Sequence, residues 1–231
     1  MPTIYAATTD NDIYGPNTSW ASARGDDGTY STLGNASGTY ESYGAGAFKF
    51  ASRGGGSNYR VHRSFFHFDT SGITDTLSAG TLKIYFESDV GDANIIVVKS
   101  DAFTGGSDVL VAADFNNLDF STAYSSEVDT TATGLKSITL NAAALADIKD
   151  NDDFKFAIIN YDYDKLNTAP SSTVYNYVRI YYSDYTGTTR DPQIDYTVVT
   201  GYANHVTGVA TGNIGKVNGI ATASIEKVIG V

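Results

Sequence analysis

Thr81-Leu82-Lys83-Ile84-Tyr85-Phe86 is the stretch that decides the fold. Leu82, Ile84 and Phe86 fall on one face of an extended chain, and Thr81, Lys83 and Tyr85 on the other. A period of two is the mark of a strand with one buried side. The same alternation returns in Phe66 and Phe68, in Phe154, Phe156 and Ile158, in Val178, Ile180 and Tyr182, and in Ile194, Tyr196 and Val198. Ile95-Ile96-Val97-Val98 is instead a short unbroken apolar run, which predicts a strand covered on both sides. These segments are rich in β-branched and aromatic residues and are separated by clusters of Gly, Asp, Asn and Ser.

One segment reads as helix. Asn141-Ala142-Ala143-Ala144-Leu145-Ala146-Asp147-Ile148 supplies about two turns behind an Asn cap. Many strands with one short helix predict an all-β chain, a β-sandwich and most simply a jelly roll. Residues 21–58 read as loop-heavy, with Phe48 and Phe50 marking one strand inside them. The alternation predicts that Phe66, Phe68, Leu82, Ile84, Phe154, Phe156, Ile158, Val178 and Ile180 are buried, with Lys83, Lys155 and Arg179 turned outward.

The sandwich is expected to occupy residues 1–200. Near Thr200-Gly201 large aromatics give way to small residues, and residues 201–231 form a short repeat. Thr207-Gly208-Val209-Ala210-Thr211-Gly212-Asn213-Ile214-Gly215-Lys216-Val217 aligns with Asn218-Gly219-Ile220-Ala221-Thr222-Ala223-Ser224-Ile225-Glu226-Lys227-Val228. A unit this short cannot hide its own apolar face, so it must stack on copies of itself or on another chain. Val206, Val209, Ile214, Val217, Ile220, Ile225 and Val228 are the expected assembly residues, in a homo-oligomer, with a trimer favoured, or against other virion proteins.

Charge narrows the partners. Fifteen Lys and Arg against 26 Asp and Glu give a net charge of −11, which argues against nucleic acid and anionic membrane surfaces. With no cysteine there is neither a disulfide framework nor a thiolate metal site. The opening residues carry no basic and apolar leader pattern, and no apolar run approaches the length of a membrane span. A surface-like composition rich in Thr, Ser, Asn, Gly and Tyr, without an export signal, fits a virion protein released by lysis.

Three segments carry a family resemblance. Arg63-Ser64-Phe65-Phe66-His67-Phe68-Asp69-Thr70-Ser71-Gly72-Ile73, then Ala79-Gly80-Thr81-Leu82-Lys83-Ile84-Tyr85, then Val178-Arg179-Ile180-Tyr181-Tyr182-Ser183 with Arg190-Asp191-Pro192-Gln193-Ile194-Asp195-Tyr196, resemble the DNRLRE-type domains. Those are jelly-roll modules akin to carbohydrate-binding modules, and the hexapeptide for which they are named does not occur here. The Lys-Val-Asn-Gly-Ile-Ala pattern of the tail resembles short repeats at the ends of tailed-phage virion proteins. Together the resemblances imply a component of a phage virion surface: a fibre, a head decoration or a receptor-binding protein.

Catalytic chemistry finds little footing. His62, His67 and His205 are scattered, and His62 and His67, five apart, fall on opposite faces of a straight strand. No nucleophile-elbow pattern supports a Ser-His-Asp set, and Gly54-Gly55-Gly56 lacks the spacing and Lys of a phosphate loop. Asp10-Asn11-Asp12, Asp26-Asp27-Gly28, Asp150-Asn151-Asp152-Asp153 and Asp162-Tyr163-Asp164 read as acidic turns. No cofactor is the first expectation; the alternative is one structural calcium, at Asp10 and Asp12, because calcium takes loop oxygens and related jelly rolls often carry an ion. No hydrolytic activity is expected.

Seventeen Tyr and one Trp supply many rings with a polar tip, the type of surface on which sugars stack. Trp20, Tyr30, Tyr40 and Tyr43 lie in polar N-terminal segments where no core strand needs them, so they are the expected glycan-contacting residues. Two functions follow: a non-enzymatic structural protein of a virion surface, assembling through its repeat, or a glycan-binding module of a secreted or cell-surface protein.

Overall fold

The computed structural model describes residues 1–33, 43–51, 56–106, 108–183 and 188–199, together with the backbone of 216–217 and 220–221. The chain is all-β, with a sandwich-like architecture built by one large antiparallel sheet. Its strands are β1 (Thr3–Tyr5), β2 (Asn11–Asn17), β3 (Thr32–Leu33), β4 (Ala45–Ala51), β5 (Ser57–Asp69), β6 (Leu77–Val90), β7 (Asn94–Ser100), β8 (Leu118–Ala123), β9 (Val128–Asp129), β10 (Gly134–Thr139), β11 (Asp153–Asn160), β12 (Val174–Ile180) and β13 (Gln193–Val198).

Two long strands organise the sheet. Along one edge of β5 runs β2, while its other edge is shared by β4 and then β11. β6 takes β10 on one edge, with β13 and then β12 along the other. β4 pairs with β12, so the half built on β5 continues into the half built on β6. The main core lies between these halves. It draws Phe66 and Phe68 from β5, Phe154, Phe156 and Ile158 from β11, Leu82, Ile84 and Phe86 from β6, and Val178 and Ile180 from β12. All nine residues expected in the core are buried in this one cluster. Each such side chain contributes roughly 1.5–3 kcal/mol of transfer free energy.

Lys83, Lys155 and Arg179 occupy the alternate faces, half-buried rather than fully in solvent. Lys83 pairs with Asp195 at 2.5 Å, Lys155 with Asp108 at 3.2 Å, and Arg179 approaches Glu87 at 4.0 Å. Their alkyl stems lie on the sheet while the charged heads find carboxylates.

The reverse face of β5, β7 and β11 carries a second core. Val61 and Phe65, Ile96 and Val98, and Ala157 and Ile159 point into it, covered by Trp20, Ala23 and Phe115. Ile95 and Val97 belong to the first core and Ile96 and Val98 to the second, as the unbroken apolar run of β7 predicts. Trp20 and Ala23 sit on α1 (Trp20–Arg24), a five-residue helix capped by the Ser19 side chain, which accepts from Ser22 N at 3.1 Å. That helix falls in the segment read as loop. A single turn carries too few residues to show a period, so its sequence resembles any polar connection.

α2 (Ala142–Asp150) forms where expected. Asn141 Oδ1 accepts from the Ala143 and Ala144 amides at 3.0 and 3.1 Å, and Ala144 and Ile148 face the main core. The repeat region contributes β14 (Lys216–Val217) and β15 (Ile220–Ala221), an antiparallel pair with Val217 opposite Ile220. Asn218-Gly219 separates them, a dipeptide suited to a two-residue hairpin. Val206, Val209, Ile214, Ile225 and Val228 lie outside the described residues.

Candidate binding face

Beyond the core, the same face of β5 that carries Phe66 continues outward through His62, Arg60 and Asn58. Cross-strand register sets rings beside them. His62 stands opposite Tyr14 of β2 and Gly46 of β4, Arg60 opposite Pro16 and Phe48, and Asn58 opposite Phe50. One strand further, Tyr177 pairs with Gly46 and Tyr175 with Phe48. Directly opposed residues share a face in a pleated sheet, so four strands place their rings on one surface.

The rings form a connected ladder. Tyr14 stacks on His62 at 4.8 Å, and Tyr43 and Phe48 meet the same imidazole edge-on at 5.1 and 5.3 Å. Tyr43 lies 4.9 Å from Tyr177, which stacks on Phe48 at 5.2 Å. Arginines cap both ends. The Arg60 guanidinium lies 5.0 Å from the Tyr14 ring and 5.7 Å from Phe50, and that of Arg179 lies 5.6 Å from Tyr43 and 5.9 Å from Tyr177. Such cation–ring contacts are attractive because the ring face is electron-rich. Gly46 makes the close packing possible, because a Cβ there would lie 2.5 Å from Tyr177 Cβ and 3.0 Å from the Phe48 ring.

At the centre, His62 Nδ1 lies 2.8 Å from Asp12 Oδ2. Both side chains are buried. Burial lowers the His62 pKa below the ordinary histidine range, while the hydrogen bond to Asp12 pulls the other way. The imidazole is therefore neutral, with its proton on the nitrogen that faces the carboxylate, which leaves Nε2 as an acceptor. His62 Nε2, Asp12 Oδ1, Arg60 Nε, Arg179 Nε and Glu87 Oε2 are buried without a hydrogen-bond partner among the described residues. Buried polar atoms are normally satisfied, so five open ones gathered on one face are an unusual feature of this sheet. Next to Arg60 the surface opens into a pocket of about 540 Å³ walled by Asn17, Thr18, Tyr30, Phe50 and Asn58.

The expected glycan contacts divide. Tyr43 belongs to the ladder and Tyr30 lines the pocket. Trp20 does not display its ring: it packs in the second core against Tyr59 and donates Nε1–H to Asn167 Oδ1 at 3.2 Å. The polar composition around Trp20 conceals the short helix that turns it inward. Tyr40 lies outside the described residues. Tyr14, Arg60, His62, Tyr177 and Arg179 were not anticipated from sequence. Each reads locally as an ordinary strand residue, and only the register of four strands gathers them.

The two carboxylates expected to hold calcium are engaged by protein groups. Asp10 accepts from the Ser183 amide at 3.1 Å and from its hydroxyl at 2.5 Å, and Asp12 faces His62. Asp12 lies within β2, Asp10 just precedes it with its amide on the Ala7 carbonyl at 3.3 Å, and both side chains are buried rather than solvated. Among the described residues, a different group, His67, Asp108 and Asp153, brings possible metal donors within 4.8 Å of one another. There His67 Nε2 already meets Asp153 Oδ1 at 2.7 Å, and the Lys155 ammonium lies 3.2 Å from Asp108. His62 and His67 do fall on opposite faces: His67 contacts Phe103 of the second core.

No protein-family model matches the chain, and no curated protein matches it. Among the described residues no helix is long and apolar enough to cross a membrane.

Proposed function

We propose that this chain is a non-enzymatic recognition protein whose sandwich binds a glycan on the aromatic face around His62. The observation that carries the reading is the ladder itself: half-buried Tyr14, Tyr43 and Tyr177 flanked by two arginines, beside an open pocket. Sugars present apolar C–H faces that stack on rings and hydroxyls that pair with amide, hydroxyl and guanidinium groups. Binding to a glycan array, followed by titration calorimetry on each hit, tests the reading. Tyr43→Ala and Tyr177→Ala are expected to abolish binding without unfolding the chain. Retention of full affinity in both would remove the face from consideration.

In the same proposal the protein stands on a virion surface, as a fibre, head decoration or receptor-binding component, and is joined to its neighbours by the C-terminal repeat. What favours this is the tandem repeat and the antiparallel pair of β14 and β15 within it. Jelly-roll connectivity and kinship with the DNRLRE-type domains belong to this proposal and rest on the three quoted segments. Cryo-electron microscopy of the native particle tests it, by locating the chain on the virion or failing to.

A further inference from the structure

We infer that the pocket beside Arg60 takes a sugar bearing a carboxylate, so that the ligand is an acidic glycan rather than a neutral one. This rests on the glycan reading above and goes further by fixing the charge of the ligand.

Arg60 is the anomaly. The chain carries 26 acidic residues against 15 basic ones, yet Arg60 makes no ion pair among the described residues. Most cations of the fold have a partner: Arg63 and Arg24 pair with Asp164, Lys83 with Asp195, Lys99 with Asp147 and Lys155 with Asp108, while Lys49, Lys136 and Lys165 donate to backbone carbonyls. Arg60 Nε is moreover buried without an acceptor. Its guanidinium carbon lies 5.0 Å from the Tyr14 ring centroid and 5.7 Å from that of Phe50, contacts that favour one placement of the group before any ligand arrives.

A guanidinium is a planar fork whose N–H groups match the two oxygens of a carboxylate. The pocket walls add Asn17, Asn58, Thr18 and the Tyr30 hydroxyl, which suit sugar hydroxyls, and none of the described residues lining it is acidic. His62 stays neutral, so it neither competes for the anion nor repels Arg60. A pocket whose sole charge among the described residues is a cation without an ion pair, on a protein of net charge −11, selects an anion locally against the field of the whole molecule.

Titration calorimetry on the full chain, with a short oligogalacturonide, its methyl ester, a neutral oligosaccharide of equal length and sodium acetate, separates the possibilities. The oligogalacturonide is expected to bind about tenfold to a hundredfold tighter than its methyl ester, the ratio a charge-assisted hydrogen bond supplies. Arg60→Leu should erase that preference. Asn58→Asp, which places a carboxylate two residues away on the same face without removing a ring contact, should erase it too, and circular dichroism checks that both variants are folded. If ester and acid bind alike and Arg60→Leu changes nothing, the charge inference is overturned while the glycan reading stands. If acetate competes as well as the oligomer, the site is an anion site and not a sugar site, which also overturns it. If no saccharide of either charge binds here or on the array, both readings fall together.

Discussion

Arg63 and Asp164 meet through two parallel contacts, Nε to Oδ2 at 2.8 Å and Nη2 to Oδ1 at 2.9 Å, with both side chains wholly buried. Two of the three remaining guanidinium hydrogens go to the carbonyls of Phe115 and Arg24 at 2.7 and 2.8 Å, and the guanidinium carbon lies 4.1 Å from the Phe115 ring centroid. Arg24 adds a second cation, its Nε donating to the Asp164 carbonyl at 2.9 Å. One buried pair thus ties α1, β5, the turn Ala112–Asn116 and the π-helical turn Tyr161–Lys165. Asp164→Asn is expected to cost about 3–5 kcal/mol, because it strands a buried guanidinium charge. Urea unfolding followed by fluorescence measures it, and a loss under about 1 kcal/mol contradicts the role assigned to the pair.

His62 sets a pH dependence of known sign. Its pKa in the folded chain lies below the unfolded value of about 6.5. Between those two values the unfolded chain binds the extra proton and the folded chain does not, so stability rises with pH through the window and falls as the pH drops below about 6.5. The groups facing the ring are Asp12, Tyr14, Tyr43 and Phe48, with Arg60 opposing protonation. His62→Gln removes the titration and should flatten the slope of melting temperature against pH in that window. An identical slope in the variant rules out His62 as its source.

Gly46→Ala places a methyl group 2.5 Å from Tyr177 Cβ, where neither backbone nor ring can withdraw without parting the strands. Overpacking of this type costs about 1–3 kcal/mol. Ligand affinity should fall with it, since Tyr43, Phe48 and Tyr177 shift together. A substitution that leaves both stability and binding intact shows that the face is looser than its packing indicates.

Deleting residues 203–231 is expected to leave a folded monomer, because the two cores among the described residues are built from side chains that precede Val199. Light scattering on the full and truncated chains checks this. An oligomer that persists after truncation assigns assembly to the sandwich instead of the repeat.

What could be read from sequence was what repeats locally. Leu82, Ile84 and Phe86 declare their strand because every second residue meets the same core. The second core was half hidden: in β5, Val61 to Phe68 is buried on both faces, so Arg63 and His67 break the apolar pattern while remaining inside. Asp164 looked like part of an acidic turn, and nothing near it in sequence signals a partner 101 residues away. The candidate face was legible only as a surplus of tyrosine. Its membership depends on β2, β4, β5 and β12 lying side by side, a long-range fact that no local window contains. Trp20 shows the converse error, a ring assigned to the surface from its polar neighbours and held inside by one short helix.

The root of the repeat has a mechanical consequence. β13 lies between β1 and β6, with Ile194 facing both Ile4 and Leu82 in the ladder, and Val199 N–H reaches back to the Thr76 carbonyl at 2.7 Å. A pull on residues 200–231 is therefore received by a strand hydrogen-bonded along both edges. The first five residues brace that strand over Gln193–Asp195, upstream of the point where tension enters, so trimming the amino terminus would leave the anchor of the opposite terminus held along one edge alone.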